Sequence, residues 1–145
     1  MGQVTASAAI QINAAPEAVS AALADYANVR EGVLPENYRD YRVDEGGNGS
    51  GTVVHWILQA TEKRKRDVLA DVTVAGDTIT ETDRNSTMVT TYRVTAEGTG
   101  SRVETTTSWK GAGGIGGFFE KTFAPKGLNR IQTALLTNLK QRLES

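Results

Sequence analysis

Residues 90–109, Thr90-Thr91-Tyr92-Arg93-Val94-Thr95-Ala96-Glu97-Gly98-Thr99-Gly100-Ser101-Arg102-Val103-Glu104-Thr105-Thr106-Thr107-Ser108-Trp109, read as two β-strands joined by a glycine-punctuated turn. With Gly98 to Ser101 as a four-residue loop, Ala96 opposes Val103, Val94 opposes Thr105, Tyr92 opposes Thr107 and Thr90 opposes Trp109. One face then collects Tyr92, Val94, Val103 and Trp109. The other collects Arg93, Thr95, Glu104 and Thr106, with Arg93 diagonal to Glu104. A slip of one residue would mix the two sets, so the hydrophobic pattern fixes which side faces the core.

Working outward from this hairpin, Gly76-Asp77 predicts a two-residue turn with glycine first. Val74 then opposes Ile79, Val72 opposes Glu81, and Ala70 opposes Asp83. Two carboxylates fall on the apolar side, a conflict between pattern and chemistry of the kind that collects at functional sites. Further punctuation at Gly46-Gly47-Asn48-Gly49 and Asn85-Ser86 divides residues 38–109 into about six antiparallel strands.

Before this meander, Val4, Ala6, Ala8, Ile10 and Ile12 alternate with polar residues as in a half-buried strand. Pro16 opens a helix at a position where its missing N–H is harmless, and Val19, Ala22, Leu23 and Tyr26 recur at helical spacing. A second short helical piece is expected between Asn28 and Val33. After the glycine-rich residues 111–117, Phe119, Phe123, Leu128, Ile131, Leu135, Leu139 and Leu143 predict a long amphipathic helix that Pro125 kinks or divides. The expected fold class is α+β: a curved antiparallel sheet of about seven strands, two short helices after the first strand, and a long closing helix. Residues 1–145 are expected to form a single domain.

Composition excludes several chemistries. Lys and Arg number 16 against 17 Asp and Glu, for a net charge of −1, unlike a dedicated nucleic-acid binder. The absence of cysteine removes disulfides and thiolate chemistry, and with His55 the only histidine a conventional metal centre is not expected. No apolar run reaches the roughly 18 residues of a membrane span, and Met1–Ala15 lacks the basic and apolar regions of a leader. The expectation is a cytoplasmic protein without cofactor, nucleic-acid partner or stable membrane insertion, as monomer or homodimer.

Three segments carry a family resemblance. Ile10-Gln11-Ile12-Asn13-Ala14-Ala15-Pro16-Glu17-Ala18-Val19, the hairpin Gly98-Thr99-Gly100-Ser101-Arg102-Val103-Glu104, and the closing stretch from Leu128-Asn129-Arg130-Ile131 to Leu143-Glu144 occur in this order over essentially the whole chain. Together they resemble the START-like (helix-grip, SRPBCC) superfamily, and within it the polyketide cyclase/dehydrase and lipid-transport group. The resemblance implies a curved sheet gripping the long helix, with a cavity between them. Val33-Leu34-Pro35 stands where many relatives carry a tryptophan, which implies a differently shaped mouth.

Within that frame Trp56, Met88, Tyr92, Trp109, Phe123, Leu128 and Ile131 are the candidates to line a ligand cavity, and Glu81 with the inward threonines to orient polar atoms. The expected function is binding of a hydrophobic or aromatic small molecule such as a lipid, isoprenoid or polyketide-like compound. The alternative is a polyketide aromatase/cyclase in which Glu81 moves protons; a strand twist that carries the carboxylate to solvent, or a structural ion pair with a nearby Arg or Lys, is the simpler account of Glu81. His55 faces away from Trp56 and is assigned no role. Gly111-x-Gly113-x-x-Gly116 matches a dinucleotide fingerprint but lacks the βαβ setting that makes it work. Lys63-Arg64-Lys65-Arg66 reads as a solvated edge that discourages sheet pairing.

Overall fold

A computed structural model describes residues 3–59, 65–110 and 125–145. Strand β1 (Gln3–Ile12) keeps the alternation of its sequence, with Ala6 and Ile12 buried and the residues between them pointing outward by turns. Helix α1 (Pro16–Ala24) opens on Pro16 and buries Val19, Ala22 and Leu23; Ala15 before it offers no side-chain cap, so the proline's preset φ does the work of starting the helix. A single turn, α2 (Arg30–Val33), follows.

The meander consists of β2 (Tyr38–Glu45), β3 (Val53–Gln59), β4 (Lys65–Ala75), β5 (Thr78–Asp83), β6 (Val89–Glu97) and β7 (Gly100–Lys110). With β1 they form one seven-stranded sheet in the order β1-β7-β6-β5-β4-β3-β2. Every neighbouring pair is antiparallel. The β4–β5 pairing is the one expected, with Val72 opposite Glu81 and Ala70 opposite Asp83 around Gly76, whose φ of 59° suits a tight hairpin.

The β6–β7 hairpin corrects its expected register. Its turn has only two central residues, Gly98 and Thr99, with Glu97 opposite Gly100, so Val94 faces Val103, Tyr92 faces Thr105 and Arg93 lies directly opposite Glu104. Gly98, at φ 58°, supplies the backbone conformation that closes the shorter turn. Each partner moves by two residues, the side-chain period of a strand, so the inward set of Tyr92, Val94, Val103 and Trp109 survives the change.

Helix α3 (Pro125–Glu144) lays Leu128, Ile131, Gln132, Leu135, Leu136 and Leu139 against the concave side of the sheet. Pro125 stands at the first described position of this helix; the expected helical residues Phe119 and Phe123 and the glycine run 111–117 lie outside the described residues. Polar contacts fix its height along β1: Gln132 donates to the Ala6 carbonyl at 3.1 Å and Lys140 to the Gln11 carbonyl at 3.0 Å, while Asn129 donates to the Ser7 carbonyl. Asn138 donates to the Val33 carbonyl at 3.0 Å and ties α2 to the same helix. The core between sheet and helix is one continuous apolar cluster running from Ile12 and Leu23 to Trp56, Trp109 and Leu139. No helix among the described residues is long and apolar enough to cross a membrane.

Candidate functional site

Strand β5 turns Glu81 toward the interior, and the turn after α1 together with the start of α2 supplies what a buried carboxylate needs. The Tyr26 hydroxyl donates to Glu81 Oε2 at 2.5 Å and Arg30 Nη1 donates to the same oxygen at 2.7 Å. Arg30 Nη2 also donates to the Leu23 carbonyl at 2.7 Å and to the Tyr26 hydroxyl at 3.1 Å. Its guanidinium carbon sits 4.3 Å from the Tyr26 ring centroid and 4.8 Å from that of Tyr92, within cation–π range. All four side chains are buried.

The electrostatics follow from that enclosure. Burial alone would lower the pKa of Arg30, but its neighbours Tyr26, Glu81 and Tyr92 outweigh burial and raise it, so the guanidinium stays charged. Burial pushes the Tyr26, Tyr38 and Tyr92 phenols well above their usual range. Around Glu81 there is thus one fixed cation and a ring of neutral hydroxyls.

Beside this network the sheet and α3 enclose a small cavity. It is lined by Tyr38, Trp56 and Leu58, by Glu81, Met88, Thr90, Tyr92 and Thr107 of the following strands and the turn before β6, and by Leu128 and Gln132 of α3. Its free volume is about 10 Å³, near the least that holds a single water. Trp56 is held between two tyrosines: Tyr38 meets it edge-on at 5.6 Å between centroids, and Tyr41 stacks on it at 6.5 Å with the planes 5° apart. Thr90 and Thr107 share a hydrogen bond of 2.8 Å across β6 and β7.

Of the residues singled out by sequence, Trp56, Glu81, Met88, Tyr92 and Leu128 meet at this cavity. Trp109 and Ile131 are buried in the same core but do not border it. Phe123 lies outside the described residues. Asp83, the other inward carboxylate, is a turn clamp: Oδ1 accepts the backbone N–H groups of Leu69 and Asn85, each at 3.1 Å, and Oδ2 accepts the Ser86 hydroxyl at 2.6 Å. His55, on the other side of β3, lies between the Asp40 carbonyl (Nδ1, 2.9 Å) and Asp67 (Nε2, 3.1 Å). Of the basic run only Lys65 and Arg66 are described; they begin β4, and Arg66 donates to the Asn85 carbonyl at 2.9 Å. Among the described residues no cluster of three or more His, Cys, Asp or Glu is arranged to hold a metal.

Arg30, Tyr38 and Gln132 belong to this site although sequence patterning did not single them out. Tyr26 continues the helical spacing of Val19, Ala22 and Leu23 in sequence but lies in the turn just beyond α1, and Gln132 occupies an inward position of the closing helix beside Ile131. Arg30 lies in a helix of four residues, too short to display a periodicity that would turn a charge inward.

A model of the family described as polyketide cyclase / dehydrase and lipid transport matches residues 2–144. The solution structure of the KanY protein is 54% identical over 100% of both chains, with a TM-score of 0.92. The fold is shared at much lower identity by major latex-like protein 151 from Panax ginseng, at 10% identity and TM-score 0.74 over 97% of both chains. It is also shared by the di-domain ARO/CYC protein BexL from the BE-7585A biosynthetic pathway, at 16% identity and TM-score 0.73, over 99% of this chain and 50% of that one. A comparison with curated protein sequences returned no match. Antiparallel sheet, closing helix and a family match over nearly the whole chain agree: this chain belongs to the polyketide cyclase / dehydrase and lipid transport family.

Proposed function

We propose that the protein binds a hydrophobic or aromatic small molecule, a lipid, isoprenoid or polyketide-like compound, between the sheet and α3. The observation that carries this reading is the cavity itself: aromatic and aliphatic walls with a few placed polar groups, the composition that ligand sites share. Trp56, Met88, Tyr92 and Leu128 supply apolar contact there, and Glu81 orients a polar atom. Trp109, Ile131 and Phe123 are proposed to extend the lining as the site opens. A free volume of about 10 Å³ is far below the roughly 300–1,000 Å³ of a drug-sized pocket, so uptake requires side chains to yield. Met88 and Leu128, flexible and uncharged, are the natural ones to do so.

Native mass spectrometry after incubation with lipid and metabolite extracts tests this directly. A retained adduct of defined mass, weakened in Trp56→Ala and Tyr92→Ala, is the expected result. Affinities unchanged in both variants for every bound compound would overturn the pocket. Glu81 supports a second, enzymatic reading as a cyclase, because both of its donors reach Oε2 and leave Oε1 without a donor among the described residues. On that reading Glu81→Gln abolishes turnover while binding persists. The working setting is taken to be the cytoplasm, with the protein as monomer or homodimer.

A further inference from the structure

Two buried polar atoms at the cavity have no partner among the described residues, and they are of opposite kind. Trp56 Nε1, which can only donate, meets no acceptor, and Gln132 Oε1, which can only accept, meets no donor. The orientation of the Gln132 amide is fixed by its surroundings. Its Nε2 lies 3.1 Å from the Ala6 carbonyl, which can only accept, and 3.1 Å from the Thr107 hydroxyl, so both amide hydrogens are engaged and Oε1 is the atom left over. Both residues are buried and both border the same cavity. An unmatched buried donor or acceptor is destabilising, and an orphan donor and an orphan acceptor on two residues that line one cavity are open to a single shared partner.

We propose that the cavity is a one-oxygen site built for a hydroxyl, an oxygen that accepts from Trp56 Nε1–H and donates to Gln132 Oε1. This deepens the binding function proposed above and rests on it. The free volume, about 10 Å³, matches one oxygen centre rather than a ring. A ligand therefore places its hydroxyl here and its apolar body where Met88 and Leu128 give way. An ether or ketone oxygen answers only the tryptophan, and a hydrocarbon answers neither, so the site selects alcohols and phenols over ketones, ethers and hydrocarbons of the same shape. Water satisfies the same two atoms when no ligand is bound.

Three probes with one ring system, 2-naphthol, 2-methoxynaphthalene and naphthalene, test the proposal by titration of the full chain followed by calorimetry. Naphthol is expected to bind about tenfold or more tighter than either of the others. The preference, read as the ratio of naphthol to naphthalene affinity within each variant, should fall to within about threefold in Trp56→Phe and in Gln132→Met. The wild-type ratio decides even if a variant is too unstable to study. Equal affinities for the three probes would overturn the hydroxyl site and leave the pocket standing, and so would an ether bound as well as the phenol. Uptake of none of them, together with no adduct from the extracts, would sink the pocket and the inference with it. Water and ligand are separated by the Trp56 indole proton in nuclear magnetic resonance. It should show exchange contact with a bound water in the free protein and lose it with naphthol present. A water contact that persists with naphthol bound would show that the ligand's hydroxyl lies elsewhere and would overturn the assignment.

Discussion

Two guanidinium–carboxylate pairs flank the β4–β5 hairpin at the same separation, and they do opposite jobs. Arg30 and Glu81 approach to 2.7 Å with side chains 1% and 4% exposed. Arg84 and Asp71 approach to the same 2.7 Å at 47% and 46% exposure. The outer pair is the better formed of the two by geometry alone, since Arg84 also donates through Nε to the second oxygen of Asp71 at 2.8 Å. Yet water replaces either partner of the outer pair at little cost, whereas Glu81 inside has, among the described residues, Arg30 and Tyr26 to replace its hydration. Distance therefore says little about what a charge pair contributes, and the environment of its weaker-solvated member says most.

The largest break in this comparison should come from Arg30→Met, which leaves the Glu81 carboxylate buried without its cation. A loss of about 3–5 kcal/mol in urea unfolding is expected, and the double variant Arg30→Met/Glu81→Leu should recover most of it. Full additivity of the two single variants would refute the pairing as the cause. The next effect is alkaline. Tyr26, Tyr38 and Tyr92 have their pKa values raised by burial, so the neutral phenols contribute fully below the unfolded-state value near 10. Above it the unfolded chain releases protons that the folded chain retains, and stability should fall by about 1.4 kcal/mol per pH unit for each buried phenol. Thermal midpoints measured from pH 9 to 11.5 check this, and Tyr92→Phe should flatten the decline. Asp83→Ala orphans the backbone donors of Leu69 and Asn85, so about 1–3 kcal/mol should be lost, read by the same urea titration. The smallest effect belongs to the outer pair: Arg84→Ala should move the melting point by no more than about 2 °C at low salt and not at all in 1 M salt.

How far these positions could be read in advance depends on whether a local period exposes them. Glu81 and Asp83 could be placed inside because a two-residue glycine turn fixes register and register fixes face. The β6–β7 turn is two residues shorter than its glycines suggest, yet the inward and outward faces stay the same, because a shift of two residues preserves the alternation. Trp56, Tyr92 and Leu128 followed from the same logic of strand and helix stripes. Arg30 was not legible: four residues of helix show no stripe, and its partner lies 51 residues away across the core. Gln132 sat in an apolar stripe where a glutamine reads as a gap, and only its contacts to Ala6 and Thr107 reveal a use. The division of labour between Glu81 and Asp83, two residues apart on one strand, was equally hidden, since it is decided by what comes from α1 and α2 in one case and from a turn in the other.

The pairing of β1 with β7, Gln3 opposite Lys110 through to Ile12 opposite Ser101, has a consequence for how the molecule comes into being. Strand β1 is made well before β7, its neighbour among the described strands, and its other flank is held by α3, which follows still later. Assembly is therefore a late, collective event in which chain entropy must be lost over about a hundred residues before the closing contacts form, the signature of slow folding. Until then the apolar side of β1 is uncovered, and a nascent chain arrested before residue 100 presents a strand seeking a partner to any chaperone, or any second copy, that reaches it first.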